Sequence, residues 1–193
     1  MDYTEAKELV AQFGSDWINH LPKKEKEPTF NYSGHGWEGE NYKNYTNLKD
    51  VAKIIRDKLK KDYPESKFSI VTEYYSMGQS LHISLMSGPF EAILGEQTEE
   101  YENGQYNKKM IPKKENYAQL NHYQIINKEY EDGLSNGTFL TMQAWYRMRT
   151  AYKYASSYNF DDSEPQTDYF HTNFYIHLNI GKWNQPFVNT KKA

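Results

Sequence analysis

The chain contains no cysteine. Disulfides, thiolate nucleophiles and cysteine-ligated zinc are excluded with it. Arginine is nearly absent, three residues against 20 lysines. Aliphatic carbon is also scarce. Leu, Ile, Val and Phe number 35 of 193, about 18% of the chain, close to compositions that fail to bury a core. No run approaches the ~18 apolar residues of a membrane-spanning helix, so no membrane partner is expected. Acid precedes any apolar stretch in Met1-Asp2-Tyr3-Thr4-Glu5. That argues against a secretory leader and makes a reducing cytoplasm the expected location.

Aromatic carbon stands in for the missing aliphatics: 18 Tyr, 9 Phe and 4 Trp. Such rings bury large areas, so a folded, aromatic-cored protein is expected. The net charge of -3 is too small for a polyanion mimic and gives no basic field to attract nucleic acid. Charge is blocky nonetheless. Residues 134–158 carry Arg147, Arg149 and Lys153 and no acid, whereas 159–169 carry Asp161, Asp162, Glu164 and Asp168 and no base. Blocks of this kind usually complement one another within a fold.

Periodicity predicts the elements. Residues 3–13 suit a short helix with Ala6, Leu9, Val10 and Phe13 on one side, ended by Gly14. Residues 22–46 are loop-like and rich in Gly, Asn and Tyr, either a linker or an irregular arm pinned by aromatics. A helix is expected over 47–62, where Leu48, Val51, Ala52, Ile55 and Leu59 share one stripe. Thr46 or Asn47 can cap it, and Pro64 stops it. Residues 67–75 and 79–86 alternate as strands around Ser76-Met77-Gly78, a hairpin. A short helix is expected near Phe90–Leu94, a mobile excursion over 95–116 and weak helix over 117–127. A second strong helix is expected over 138–158, with Ala144, Trp145, Met148, Ala151, Tyr152 and Ala155 on one stripe. Residues 172–180 make a third strand. The pattern predicts an α+β fold: a small antiparallel sheet of three or more strands, two main helices on one face, and irregular insertions. Residues 1–46 are expected to form an N-terminal helix and arm, and 47–193 the α+β domain.

Several ordered blocks carry a family resemblance. They are Asn47-Leu48-Lys49-Asp50-Val51-Ala52-Lys53-Ile54-Ile55-Arg56, Leu59, Tyr63-Pro64, Lys67-Phe68-Ser69-Ile70, Tyr75-Ser76-Met77-Gly78-Gln79-Ser80-Leu81-His82-Ile83 and Gly88-Pro89. Later blocks are Ser157-Tyr158-Asn159-Phe160-Asp161-Asp162-Ser163, Asp168-Tyr169-Phe170, Asn173-Phe174-Tyr175 and Gly181-Lys182-Trp183. Together they resemble the large polyvalent protein-associated domain family, the twenty-ninth of that series, over roughly residues 46–94 and 138–187. The resemblance implies a setting in phages and conjugative elements, some of whose proteins are thought to enter a recipient cell and counter its defences. It implies no defined activity.

Candidate chemistry is sparse. The acidic turn from Asp161 to Asp168 has oxygen ligands at close spacing, as Ca²⁺ or Mg²⁺ requires. It lacks the EF-hand glycine and terminal glutamate, so Asp side chains satisfying turn amides are the plainer reading. His82 and His177 fall on polar strand faces. If their strands were neighbours, His82, Ser84, Tyr175 and His177 would share a face and could make a small acid–base site; ordinary structural histidines are the plainer reading. No His-Glu-x-x-His, phosphate loop, dinucleotide fingerprint or nucleophile elbow occurs. No catalytic residue, metal or cofactor is therefore assigned. Tyr146, Arg147, Arg149 and Lys153 lie near one side of the second strong helix and would suit a nucleic-acid backbone, with the Lys108-Lys109 and Lys113-Lys114 pairs adding to it.

These readings converge on a non-enzymatic interaction module of a mobile genetic element. It would bind a host or element-encoded protein, in an anti-defence or assisting role. A nucleic-acid-binding accessory protein using the basic aromatic helix face is the alternative.

Overall fold

A computed structural model describes residues 31–44, 46–102, 105–111, 116–121, 125 and 138–191. The expected helix over 3–13 and the first part of the arm lie outside these residues. So do Lys113 and Lys114.

Helix α1 spans Leu48–Asp62, with Leu48, Val51, Ala52, Ile55 and Leu59 buried as the stripe requires. Its cap is Asn47, whose side chain accepts the Lys49 amide at 2.9 Å. Helix α2 spans Met142–Ser156 and buries Ala144, Trp145, Met148, Ala151 and Ala155; Tyr152 packs against the same core, partly buried. Thr141 caps α2 by accepting the Ala144 amide. The expected helix over 138–158 is therefore shorter. Residues Thr138–Leu140 are strand β7, because Leu140 pairs with Ile93.

The hairpin strands are β2 (Lys67–Tyr75) and β3 (Gly78–Gly88), paired antiparallel from Phe68↔Leu85 to Tyr75↔Gly78. The third expected strand is β9 (Tyr175–Ile180), starting three residues later than the alternation suggests. It lies parallel to β3, with His82 opposite His177. Strand β10 (Val188–Asn189) also runs parallel to β3. The sheet is thus mixed, not antiparallel. The chain leaves β3, passes along α2 over the sheet face and re-enters in the direction of β3, which is how parallel neighbours arise. Strand β6 (Ala118–Leu120) completes the five-stranded sheet by pairing antiparallel with β9. It takes the place of the first part of the helix expected over 117–127, of which Ile125 is helical and residues 122–124 and 126–127 lie outside the described residues: Ala118 and Leu120 are buried and Gln119 is exposed, the alternation of a half-buried strand.

The stretch expected to be an excursion contains two paired strands, β4 (Ile93–Glu102) and β5 (Gln105–Ile111). With β7 they form a separate three-stranded sheet. No helix forms near Phe90–Leu94: Phe90 turns into the core at 6% exposure and β4 begins at Ile93.

The core lies between the helices and one face of the five-stranded sheet. Leu81, Ile83, Leu85, Leu178 and Ile180 point into it from β3 and β9, meeting Val51, Ile55, Leu59 and Met148. Burying each such side chain contributes about 2 kcal/mol.

Candidate functional site

Both helices sit on that one face, so the alternation of β2, β3 and β9 sends the remaining side chains to the other. Val71, Glu73 and Tyr75 on β2, His82 on β3, and Tyr175 and His177 on β9 stand there at least partly exposed. Direct pairing brings the His82 and His177 rings to 4.6 Å between centroids, stacked at 16°. Glu73 Oε2 lies 3.0 Å from His82 Nε2. Partial desolvation first, and then the neighbouring His82, lower the His177 imidazole from its ordinary value, with Glu73 offsetting part of the effect. Ser84 is on this face too, at 3% exposure. The residues singled out in the sequence for a polar sheet face, His82, Tyr175 and His177, are therefore contiguous.

Beside them opens a cleft of about 860 Å³, walled by β9, Tyr152 of α2, Gln119 of β6 and the segment 159–174. Its outer wall includes Trp37, placed by a short ribbon. Strand β1 (Trp37–Glu38) pairs antiparallel with β8 (Phe160–Asp161), setting Trp37 opposite Asp161. The wall is pinned from several sides. Asn41 donates its amide to the Ser157 carbonyl at 2.7 Å and Gly39 to that of Asn159 at 2.9 Å. Tyr42 stacks on Phe160 at 5.6 Å.

Asp162 is the anchor of this wall. It is fully buried and accepts the Tyr32 amide at 2.8 Å, the Ser33 amide at 3.0 Å and the Ser33 hydroxyl at 2.7 Å. Burial alone would raise its carboxyl. The bonds from Ser33 and Tyr32, with His171 nearby, outweigh that and hold it below the usual carboxylate range. Asn159 anchors the floor. Its side chain accepts the Phe174 amide at 3.1 Å and donates to the Phe174 carbonyl at 2.9 Å.

The acidic turn satisfies its own backbone. Asp161 accepts the Ser163 amide at 2.8 Å and Glu164 accepts that of Gln166 at 3.1 Å. Among the described residues no group of three or more His, Cys, Asp or Glu is placed to hold a metal ion.

The basic helix residues are not gathered into one free patch. Arg147 sits in the α1–α2 junction. It pairs with Glu65, donates to Ser66 Oγ at 3.1 Å and lies over the rings of Phe90 and Tyr63 at 4.4 and 4.9 Å. That hydrogen-bonded pairing is the main reason the Glu65 carboxyl lies below its ordinary value. Arg149 packs over Trp145 at 4.8 Å, and its Nε is buried with no hydrogen-bond partner among the described residues. Tyr146 is 51% exposed. Lys153 is exposed, its pKa lowered by desolvation and then by Arg149.

Sequence reasoning missed Trp37, Asp161 and Asn159 as parts of one site. Trp37 lies far from the other two along the chain, and only the β1–β8 pairing announces the wall. Among the described residues no helix is long and apolar enough to cross a membrane. A family model described as large polyvalent protein associated domain 29 matches residues 46–155, over half of the chain. The match runs from the α1 cap to the end of α2 and includes His82, while Trp37, Asp161 and β9 fall outside it. No curated protein and no solved structure matches the chain.

Proposed function

The chain belongs to the large polyvalent protein associated domain 29 family, and from that premise we propose that it is an interaction module of a phage or conjugative element, holding a macromolecular partner and not transforming a substrate. The family is associated with polyvalent proteins of phages and mobile elements. One observation carries the reading: the face of the main sheet opposite the helices leaves large side chains exposed. It presents Val71 at 47%, Tyr75 at 45% and Tyr175 at 40% exposure around the His82–His177 stack. Exposed aromatic and β-branched side chains on a rigid sheet are what a partner buries at the centre of an interface. A protein partner is favoured over nucleic acid because Arg147 is committed to Glu65 and Ser66. Glu73 adds negative charge to the open face.

Affinity capture of the tagged protein from source-cell lysate tests this, with and without nuclease, beside a Val71→Lys variant. A stoichiometric partner that survives nuclease and is lost from the variant supports the module. A partner retained equally by the variant overturns the assignment to this face. Recovery that collapses with nuclease overturns the protein partner in favour of nucleic acid.

A further inference from the structure

Aromatic rings among the described residues mostly lie against another ring or a cation. Tyr32 meets Tyr169, Tyr42 meets Phe160, Tyr63 meets Phe68 and Phe90 meets Phe187. Lys58 lies over both Tyr154 and Tyr158. Trp37, Phe170 and Tyr175 are among those that break the pattern, as are Tyr75 and Phe174. The first three line the cleft. Phe170 is 60% exposed and Tyr175 40%. No ring contact or cation places a partner over any of them among the described residues. Asp161 also lines the cleft, directly opposite Trp37 in the β1–β8 pair. Directly opposed residues of an antiparallel pair project from the same side, about 5 Å apart at Cβ. Asp161 Oδ1 accepts the Ser163 amide, and Oδ2 has no partner among the described residues. No lysine or arginine lines the cleft among those residues.

An aromatic face beside an unfilled carboxylate, without a competing cation, is complementary to a guanidinium group. The flat cation stacks on the indole while its paired N–H donors reach the carboxylate. A phosphate would meet Asp161 with no positive charge to offset it. An ammonium group matches the charge but neither the stacking plane nor the fork. We propose that this cleft is the specificity pocket of the interaction module and takes an arginine side chain from an extended segment of the partner protein, held between Trp37 and Asp161 with Phe170 and Tyr175 covering its neighbours. This rests on the module reading above and names what the partner presents.

The test is a titration of the full chain, labelled with ¹⁵N, with a short Gly/Ser peptide bearing one central arginine. Matched lysine and citrulline peptides and free arginine are the comparison arms. The Trp37 indole N–H signal, identified by its loss in Trp37→Phe, reports occupancy. The arginine peptide is expected to move it with an affinity about tenfold or more above the citrulline peptide, the scale of a charge-assisted hydrogen bond. Free arginine is expected to bind more weakly than the peptide, because the neighbouring rings then stay uncovered. Asp161→Asn keeps an acceptor for the Ser163 amide and is expected to fold, yet to lower affinity about tenfold. Citrulline binding as tightly as arginine, an unaltered Asp161→Asn variant, or no Trp37 shift at millimolar peptide each overturn the assignment. Should the peptide fail while Val71→Lys still strips a nuclease-resistant partner, the module reading stands and the arginine pocket falls. Should the peptide fail and capture yield no nuclease-resistant partner at all, the module reading falls with it.

Discussion

Replacing Asn159 with alanine tests the claim that the cleft floor is held by a single side chain. Asn159 is 3% exposed, and its amide closes two hydrogen bonds with the backbone of Phe174, itself 1% exposed. Alanine leaves the Phe174 N–H and C=O to find partners in a site water barely reaches. A buried backbone group left unpaired costs about 1–3 kcal/mol. The carbonyl has a partial substitute, since Thr172 Oγ1 lies 3.4 Å from it, although that hydroxyl also donates to the Phe160 carbonyl at 2.9 Å. The amide has no such substitute among the described residues, so it bears most of the loss. The expected destabilisation is about 2–3 kcal/mol. In a chain of this length each kcal/mol lowers Tm by about 2–4 °C, giving a drop of about 4–12 °C. Urea titration followed by circular dichroism should show a lower midpoint at unchanged slope. Amide exchange at Phe174 should accelerate in the variant. Gln166→Ala, at an exposed site in the neighbouring turn, should stay within about 0.5 kcal/mol. An Asn159→Ala midpoint indistinguishable from this control would refute the reasoning and show that Phe174 is held by something else.

Three further outcomes follow from the same geometry. Ile55→Ala should cost about 3 kcal/mol in denaturant unfolding, because Ile55 is fully buried. Ile54→Ala, one position along the helix and 37% exposed, should cost well under half of that. His177 is lowered from 6.5 by desolvation and His82, so the unfolded chain takes up its proton first as pH falls. Stability is then complete above about pH 6.5, declines as pH drops toward the folded value and levels off below it; thermal melts across this window should show the decline, and His177→Gln should flatten it. At Gly39 a Cβ would come within 2.3 Å of the Ser156 carbonyl oxygen and 2.5 Å of Ser157. Gly39→Ala should therefore displace the wall bearing Trp37, seen as faster amide exchange over residues 31–44 with exchange in α1 unchanged.

How much of this was legible in the sequence depended on how local its cause is. Helix α1 was readable to within a residue because its stripe, cap and terminating Pro64 are all local. The β2–β3 hairpin was readable for the same reason. The β4–β5 hairpin has one local signal. Asn103-Gly104 separates strands that end at Glu102 and begin at Gln105, the two-residue spacing typical of tight hairpins. Its flanks are polar and highly charged, with register setting Glu99 opposite Lys108, so no apolar alternation marked them as strands. The parallel β3–β9 pairing had no local cause. Alternating apolar residues fix which face of β9 is buried, not the direction in which it enters the sheet. The same holds for the candidate site. His82 and His177 could be placed on polar strand faces from alternation alone. The Trp37–Asp161 pair depends on two-residue strands too short for any periodicity to reveal.

Strand β3 pairs with β2 on one side and with β9 and β10 on the other, and these contacts differ greatly in chain separation. Tyr75 meets Gly78 three positions away, whereas Ser80 meets Tyr175 at a separation of 95. Closing the longer loop costs about 3 kcal/mol more in chain entropy. The β2–β3 hairpin and α1 can thus assemble early. By the same argument the β9 strand, and with it the cleft, joins later. Until then β3 presents a bare, apolar strand edge from Ser80 to Leu85, an opportunity for misassociation between copies. Mutations that weaken the β9 pairing should therefore appear first as aggregation during refolding, before they register as lost equilibrium stability.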